Sequence, residues 1–193
     1  MVLTMIVFAV PGIAYADVIA FSGLSKTTLE DFSTYTEGSF TVTVVTGQWH
    51  STYLVGLPMP AIYQGTDASA SISVTQVGDS HFEFIGMDLS NFHFETLLGP
   101  NYELAGYLDG SLVFDSNGNV PGSGGYFFNV ASPSSEMIDL LVITVSKPDP
   151  GLNGAYAIDN IRVTPSAVPE PASFLLLGTG LGAIGIAAWC RRK

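Results

Sequence analysis

Cations are scarce in this chain. Of 193 residues only six are Lys or Arg, against 17 Asp and Glu, for a formal net charge of −11 at pH 7. Three of the six, Arg191, Arg192 and Lys193, are the last three residues. From Asp17 to Pro169 the cations are Lys26, Lys147 and Arg162, while 16 of the 17 acids lie there, so that stretch carries 3 − 16 = −13. Phosphate backbones are bound by Lys and Arg, so this balance argues against nucleic acid as a partner. An acidic surface instead keeps a protein soluble and can recruit divalent cations. Cysteine is rarer still: Cys190 is the only one, so nothing upstream of it can be cross-linked within the chain. Stability there must come from burial and hydrogen bonds, aided by any metal ion it holds. Helical periodicity is also missing, since no segment of that stretch sustains a 3.6-residue apolar repeat over three turns.

What is present is the pattern of strands. Ser39 to Thr46 is rich in Val, Thr and Phe, and Ser69 to Thr75 alternates polar residues with Ala70, Ile72 and Val74. Phe82 and Phe84 alternate with His81 and Glu83, and further candidates are Tyr102–Leu108, Leu112–Phe114, Gly125–Val130, Ile138–Val145 and Tyr156–Val163. Between them stand turn signals: Gly99-Pro100-Asn101, Asp109-Gly110, Asn117-Gly118 and Pro148-Asp149-Pro150-Gly151. Pro58 to Gly65 reads as an irregular loop. Short strands about ten residues apart predict an all-β fold, a single antiparallel β-sandwich or jelly roll over residues 17–163.

The two ends read differently. At the C-terminus Val168-Pro169-Glu170-Pro171 is followed by 18 uncharged residues, Ala172 to Trp189, then Cys190 and the three cations. At about 1.5 Å per residue such a run makes a helix roughly 27 Å long, close to a hydrocarbon core about 30 Å thick. It predicts a transmembrane helix over 172–190, entered through a Pro-broken linker over 164–171. Arg191, Arg192 and Lys193 would be a cytoplasmic stop-transfer tail, with the body on the far side. Gly180-Leu181-Gly182-Ala183-Ile184-Gly185 matches a dinucleotide fingerprint, but the strand–helix–strand unit that fingerprint needs has no room before residue 193. Gly178 and Gly182 read better as a small-residue face for close helix approach. At the N-terminus, residues 1–16 read as a signal peptide: an apolar run from Leu3 to Ile13, then Ala14-Tyr15-Ala16 before Asp17. No Lys or Arg precedes that run, which an upstream start would supply.

The order of Pro-Glu-Pro, Gly-rich apolar helix and terminal Arg cluster resembles the PEP-CTERM sorting signal. The resemblance covers the 26 residues from Val168 to Lys193. It implies export in a Gram-negative bacterium that makes exopolysaccharide and transient retention in the inner membrane. Processing by an exosortase-type enzyme near Pro169-Glu170-Pro171 would follow, with delivery to the outer surface or the extracellular matrix. A plain single-span anchor without processing is the alternative.

Within the body, the apolar parity of Tyr156-Ala157-Ile158-Asp159-Asn160-Ile161-Arg162-Val163 changes between Ile158 and Ile161. Either a bulge lies at Asp159-Asn160, or Asp159 shares a face with Ile161 and Val163. The segment resembles the closing strand of carbohydrate-binding-module-like jelly rolls. That resemblance implies a structural calcium held by Asp159 with Glu30 and Asp31, set against the plainer reading of hydrogen-bonded turn or bulge carboxylates.

Other constellations are weaker. Asp115-Ser116-Asn117-Gly118-Asn119 begins like a calcium loop but has Val120 at the glycine position and Tyr126 at the acidic one, so it reads as a hairpin loop. Gly78-Asp79-Ser80 echoes an esterase nucleophile block without the late Asp-x-x-His, and reads as a turn. His81 with Glu83 and His93 with Glu95 would hold a divalent ion were their strands neighbours; the plain reading is two solvated strand faces. Trp49, Tyr53, Tyr63 and Tyr107 are candidates for a sugar-stacking platform, set against the plainer reading that the core takes most aromatics. The sequence thus predicts a non-enzymatic surface or matrix protein that binds extracellular polysaccharide, with no catalytic residue assigned. The alternatives are a secreted polysaccharide or ester hydrolase and a self-associating structural protein.

Overall fold

The computed structural model describes residues 16–24, 30–52, 61–64, 67–78, 80–91, 99–121, 126–147 and 156–166. The expected leader up to residue 15, the segment Val168-Pro169-Glu170-Pro171, the apolar run expected to be a helix and Arg191, Arg192 and Lys193 lie outside them. So do Tyr53, Asp79, His93 and Glu95. Residues 15–166 form one compact unit.

Its regular structure is all strand: β1 (Asp17–Ile19), β2 (Glu30–Phe32), β3 (Thr34–Glu37), β4 (Phe40–Thr46), β5 (Trp49–Thr52), β6 (Ala61–Gln64), β7 (Ser69–Gln76), β8 (Phe82–Asn91), β9 (Asn101–Leu108), β10 (Ser111–Asn119), β11 (Phe127–Ala131), β12 (Met137–Ile138), β13 (Leu140–Ser146) and β14 (Tyr156–Pro165). One sheet runs β11-β8-β14-β6-β5-β2, with β1 added to β14 and β12 to β8; the other runs β10-β9-β13-β7-β4-β3. Each strand pairing described is antiparallel.

The alternation read in the sequence sends one side of each strand inward. Ile72, Val74, Leu104, Leu141, Ile143 and Val145 of the six-stranded sheet share one buried cluster with Phe82, Phe84, Met87, Leu89, Ile158 and Ile161 of the eight-stranded sheet. Phe40 and Phe82 bridge the sheets edge to face, their centroids 5.4 Å apart. The result is a β-sandwich whose interior is closed by apolar side chains.

Asp109-Gly110 is the expected hairpin turn: both residues have positive φ, 51° and 73°, which matches the right-handed twist of the strands it joins. Asn117-Gly118 is not a turn, because β10 runs straight through it and pairs with β9 from Ser111 to Asn119. The glycine is there because a Cβ at Gly118 would run into the Tyr102 ring. Residues 61–64, expected in a loop, instead form β6, which pairs with both β14 and β5 while burying Ala61 and Ile62. Tertiary pairing decides the conformation of so short a segment.

The chain entering from β1 is fastened to the other sheet by one carboxylate. Glu37, at the end of β3, accepts the backbone N–H of Ala20 (2.8 Å) and of Phe21 (2.9 Å) and the Ser22 hydroxyl. Phe21 has φ 53° and is fully buried, against Phe32 and Tyr35. The clamp holds this strained residue in the core.

Candidate functional site

The parity change in β14 is a bulge. Asp159 pairs with Asp88 and Arg162 with Gly86, so β14 spends one more residue than β8 on that step; Val163 then pairs with Phe84, returning the extra residue to β8. Asn160 takes φ 48° at this point, a conformation Asn tolerates better than most residues. Ile158 and Ile161 therefore both face the core, and Asp159 lies on the opposite face with Ala157, Asp88 and Arg162.

That face carries a polar cluster on two adjacent strands. Asp88 pairs with the Arg162 guanidinium at 2.9 Å and accepts Asn160 Nδ2 at 2.9 Å; Asn129 Nδ2 stands at 3.5 Å. Asp159 accepts the Asn160 backbone N–H at 2.7 Å and is only 1% exposed. Burial raises its pKa to about 7, and the Asp88 and Glu37 carboxylates add to the rise; the Asn160 N–H and Arg162 oppose it. Beside the cluster, Ser90 is buried with its hydroxyl unpartnered.

Glu30, Asp31 and Asp159 are not one ligand set. Asp31 sits on β2 with its side chain 97% exposed and its carboxylate 3.1 Å from His50 Nδ1. In the sheet, β5 and β6 stand between β2 and β14, which at roughly 4.8 Å per strand is about 14 Å. The carboxylates that approach Asp159 are Asp88 and Glu37. Among the described residues no group of three or more His, Cys, Asp or Glu is placed to hold a metal ion.

Of the aromatic platform, Trp49 belongs to the interior. It is 1% exposed, and its indole N–H donates to the Thr46 carbonyl at 3.2 Å. Tyr63 is fixed in register only, opposite His50 and Ala157. Tyr107 is half-buried on the solvent side of the six-stranded sheet, and the character of that side is set by its neighbours. One row across the strands reads Thr36–Thr41–Thr75–Leu140–Tyr107–Leu112, and the next Thr34–Thr43–Ser73–Val142–Ala105–Asp115. Thr36 and Thr41 hydroxyls lie 3.1 Å apart and those of Thr46 and Ser71 2.8 Å apart. Leu112 is 55% exposed. The face therefore pairs an uncharged hydroxyl field on β3, β4 and β7 with an apolar strip centred on Tyr107. Acids stand only at its β9–β10 margin, at Glu103 and Asp115.

Elsewhere, an open groove of about 350 Å³ beside β8 is lined by Glu83, Ile85, Ser132, Pro133 and Ser134, among others. Two of its hydroxyls are engaged within the loop itself: Ser132 Oγ donates to the Ser134 carbonyl at 2.6 Å, and Ser134 Oγ accepts the Glu136 N–H at 3.1 Å. His81 is exposed just before β8. Asp88 and Glu37 were missed by the sequence reading, since each is a lone acid in an alternating strand. The hydroxyl field had a signal that went unassembled: Thr-x-Thr at 34–36 and 41–43, facing the alternation of 69–75.

The described part of the molecule is thus an all-β, two-sheet antiparallel sandwich. Residues 167–193 match the PEP-CTERM protein-sorting motif, a signal that marks a chain for export and membrane-anchored sorting. No curated protein matches the chain. Solved structures similar to it are carbohydrate-binding modules. TmCBM61 in complex with β-1,4-galactotriose shows 11% identity and TM-score 0.40, covering 64% of this chain and 86% of that one. A family 29 carbohydrate-binding module shows 13% identity and TM-score 0.38, covering 82% and 97%. A module produced by Clostridium perfringens, CpGH89CBM32-6, shows 8% identity and TM-score 0.40, covering 68% and 96%.

Proposed function

We propose that this chain is a non-enzymatic protein of the outer surface or extracellular matrix of a Gram-negative bacterium, where its sandwich binds extracellular polysaccharide. Its C-terminal helix holds it in the inner membrane until an exosortase-type enzyme acts near Pro169-Glu170-Pro171. The observation that carries the binding reading is the solvent face of the six-stranded sheet. Sugars present hydroxyls on their edges and apolar C–H patches on their faces. A surface with Thr and Ser hydroxyls beside Tyr107, Leu140 and Leu112 offers a partner for each. Its lack of cations suits a neutral glycan better than a strongly anionic one.

The test is binding of the full chain in detergent to an array of bacterial exopolysaccharides, with and without a calcium chelator. Retention on at least one glycan, weakened in Tyr107→Ala, supports the reading; no retention on any overturns it. Loss on chelation would reveal a calcium requirement. Sorting is tested by expressing the chain with and without an exosortase. A shortened, released product that depends on the enzyme and on Glu170 is expected, and an intact membrane form under both conditions refutes processing.

A further inference from the structure

We infer that β10 is a self-pairing edge through which two copies of this chain join their six-stranded sheets into one continuous sheet. This stands apart from the polysaccharide reading and survives its failure. The two sheets end in β11, β2, β3 and β10, of 5, 3, 4 and 9 residues. A long edge is a row of unpaired backbone groups that recruits another strand unless something blunts it. Nothing among the described residues pairs with the free side of β10. Its sequence, Ser-Leu-Val-Phe-Asp-Ser-Asn-Gly-Asn, holds no Pro, no cation and one acid in a body of strongly negative charge.

The register fixes which groups face outward. The Val120 N–H donates to the Pro100 carbonyl at 3.0 Å, so alternate residues toward the hairpin, Gly118 and Ser116, also exchange hydrogen bonds with β9. The backbone N–H and C=O of Asp115, Asn117 and Asn119 then point away from the sheet, and all three side chains are exposed on its solvent face. These positions are symmetric about Asn117. An antiparallel pair of β10 strands with its twofold axis at Asn117 sets Asn117 against Asn117 and Asp115 against Asn119, so every outward group finds a partner. Centring on Asp115 would instead oppose two carboxylates, which is unfavourable across a strand pair. Pro121 ends the run, and the side chain of Asn119 braces that end by donating to Gly99 O at 3.0 Å and Asn101 Oδ1 at 3.1 Å. An isologous contact of this kind closes as a dimer. So few hydrogen bonds make a weak pair in dilute solution, and it forms where copies share one membrane or matrix.

The test uses the full chain in the membrane of an exporting host, with Cys190→Ser removing the native thiol. Asn117→Cys in that background is expected to give a cross-linked dimer on oxidation or with a short thiol cross-linker. Glu103→Cys, on the same face but one strand in from the edge, should remain monomeric. Asp115→Pro added to Asn117→Cys should abolish the dimer while the chain stays protease-resistant, because Pro deletes only an outward N–H. Should that variant not accumulate, Asn119→Pro serves in its place. A monomeric Asn117→Cys, equal cross-linking of Glu103→Cys, or a dimer that persists with Pro on the edge overturns the inference.

Discussion

Replacing Asp159 by Asn should make the sandwich more stable at pH 8 and change it little at pH 4. The carboxyl is 1% exposed, and its pKa is raised from 3.8 to about 7 by burial, then by the neighbouring acids. An acid whose folded pKa is raised holds its proton more tightly in the folded state than in the unfolded one. Its ionisation therefore opposes folding: no penalty below about pH 4, a growing one from there to pH 7, and the full penalty above. At about 1.4 kcal/mol per pH unit, the span of roughly three units sets an upper bound of about 4 kcal/mol. Asn keeps the oxygen that accepts the Asn160 N–H and carries no charge, so it removes the penalty with little change of shape.

The assay is urea unfolding of residues 17–166 at a series of pH values. With a slope of about 2 kcal/mol per M, the middle of the usual range, a gain of about 2–4 kcal/mol moves the midpoint by roughly 1–2 M at pH 8. The wild-type midpoint should fall from about pH 4 to about pH 7 and level off above, and the Asp159→Asn midpoint should fall much less. Parallel pH profiles for the two proteins would refute the reasoning, because the slope would then belong to other groups.

Tyr107→Ala should weaken glycan binding by roughly 3–10-fold, an aromatic contact being worth about 0.5–1.5 kcal/mol, at an unchanged urea midpoint. Trp49→Ala should do the reverse, costing about 3–5 kcal/mol of stability, since its ring fills the core. Glu37→Gln should cost about 1–3 kcal/mol by replacing charge-assisted hydrogen bonds to Ala20, Phe21 and Ser22 with neutral ones, seen as early proteolysis before residue 30. Gly106→Ala should cost about 1–3 kcal/mol, because its Cβ would enter the Phe114 ring; a neutral result in thermal unfolding would show that the ring can step aside.

Strand positions were legible wherever one face is core and the other solvent, as in β4, β7, β9 and β13, because the period of two then shows directly in the apolar residues. The closing strand was half legible: the parity break at Asp159-Asn160 announced an irregularity, and the bulge was one of its two solutions. β6 could not be read, since four residues after a Pro-rich stretch carry too little pattern and become a strand by pairing on both sides. Asn117-Gly118 misled because a glycine required by the Tyr102 ring looks, in sequence, the same as one required by a turn. Trp49 stood open between platform and core, and it is the core that takes it, because burial of an aromatic depends on which sheet face it meets. Glu37 and Asp88 were invisible because what singles them out comes from distant strands.

The scarcity of cations explains how this fold holds its acids, and it yields a last prediction. Between residues 17 and 169 three Lys and Arg stand against 16 acids, so most carboxylates cannot have an ion-pair partner. Several are instead held by backbone amides. Glu37 takes those of Ala20 and Phe21, Asp67 that of Gln48 at 2.7 Å, Asp139 that of Asp109 at 2.7 Å, and Asp159 that of Asn160. Backbone hydrogen bonds at contact distance are little screened by salt, whereas repulsion among exposed like charges is screened once they lie beyond about 10 Å at 0.1 M. Raising the ionic strength should therefore remove repulsion while leaving the amide contacts in place, and the urea midpoint at pH 8 should rise from 0.02 to about 0.5 M NaCl. A sandwich held by surface ion pairs would lose stability over the same range, so a falling midpoint would show that Arg162–Asp88 and pairs like it, not the amides, hold these carboxylates.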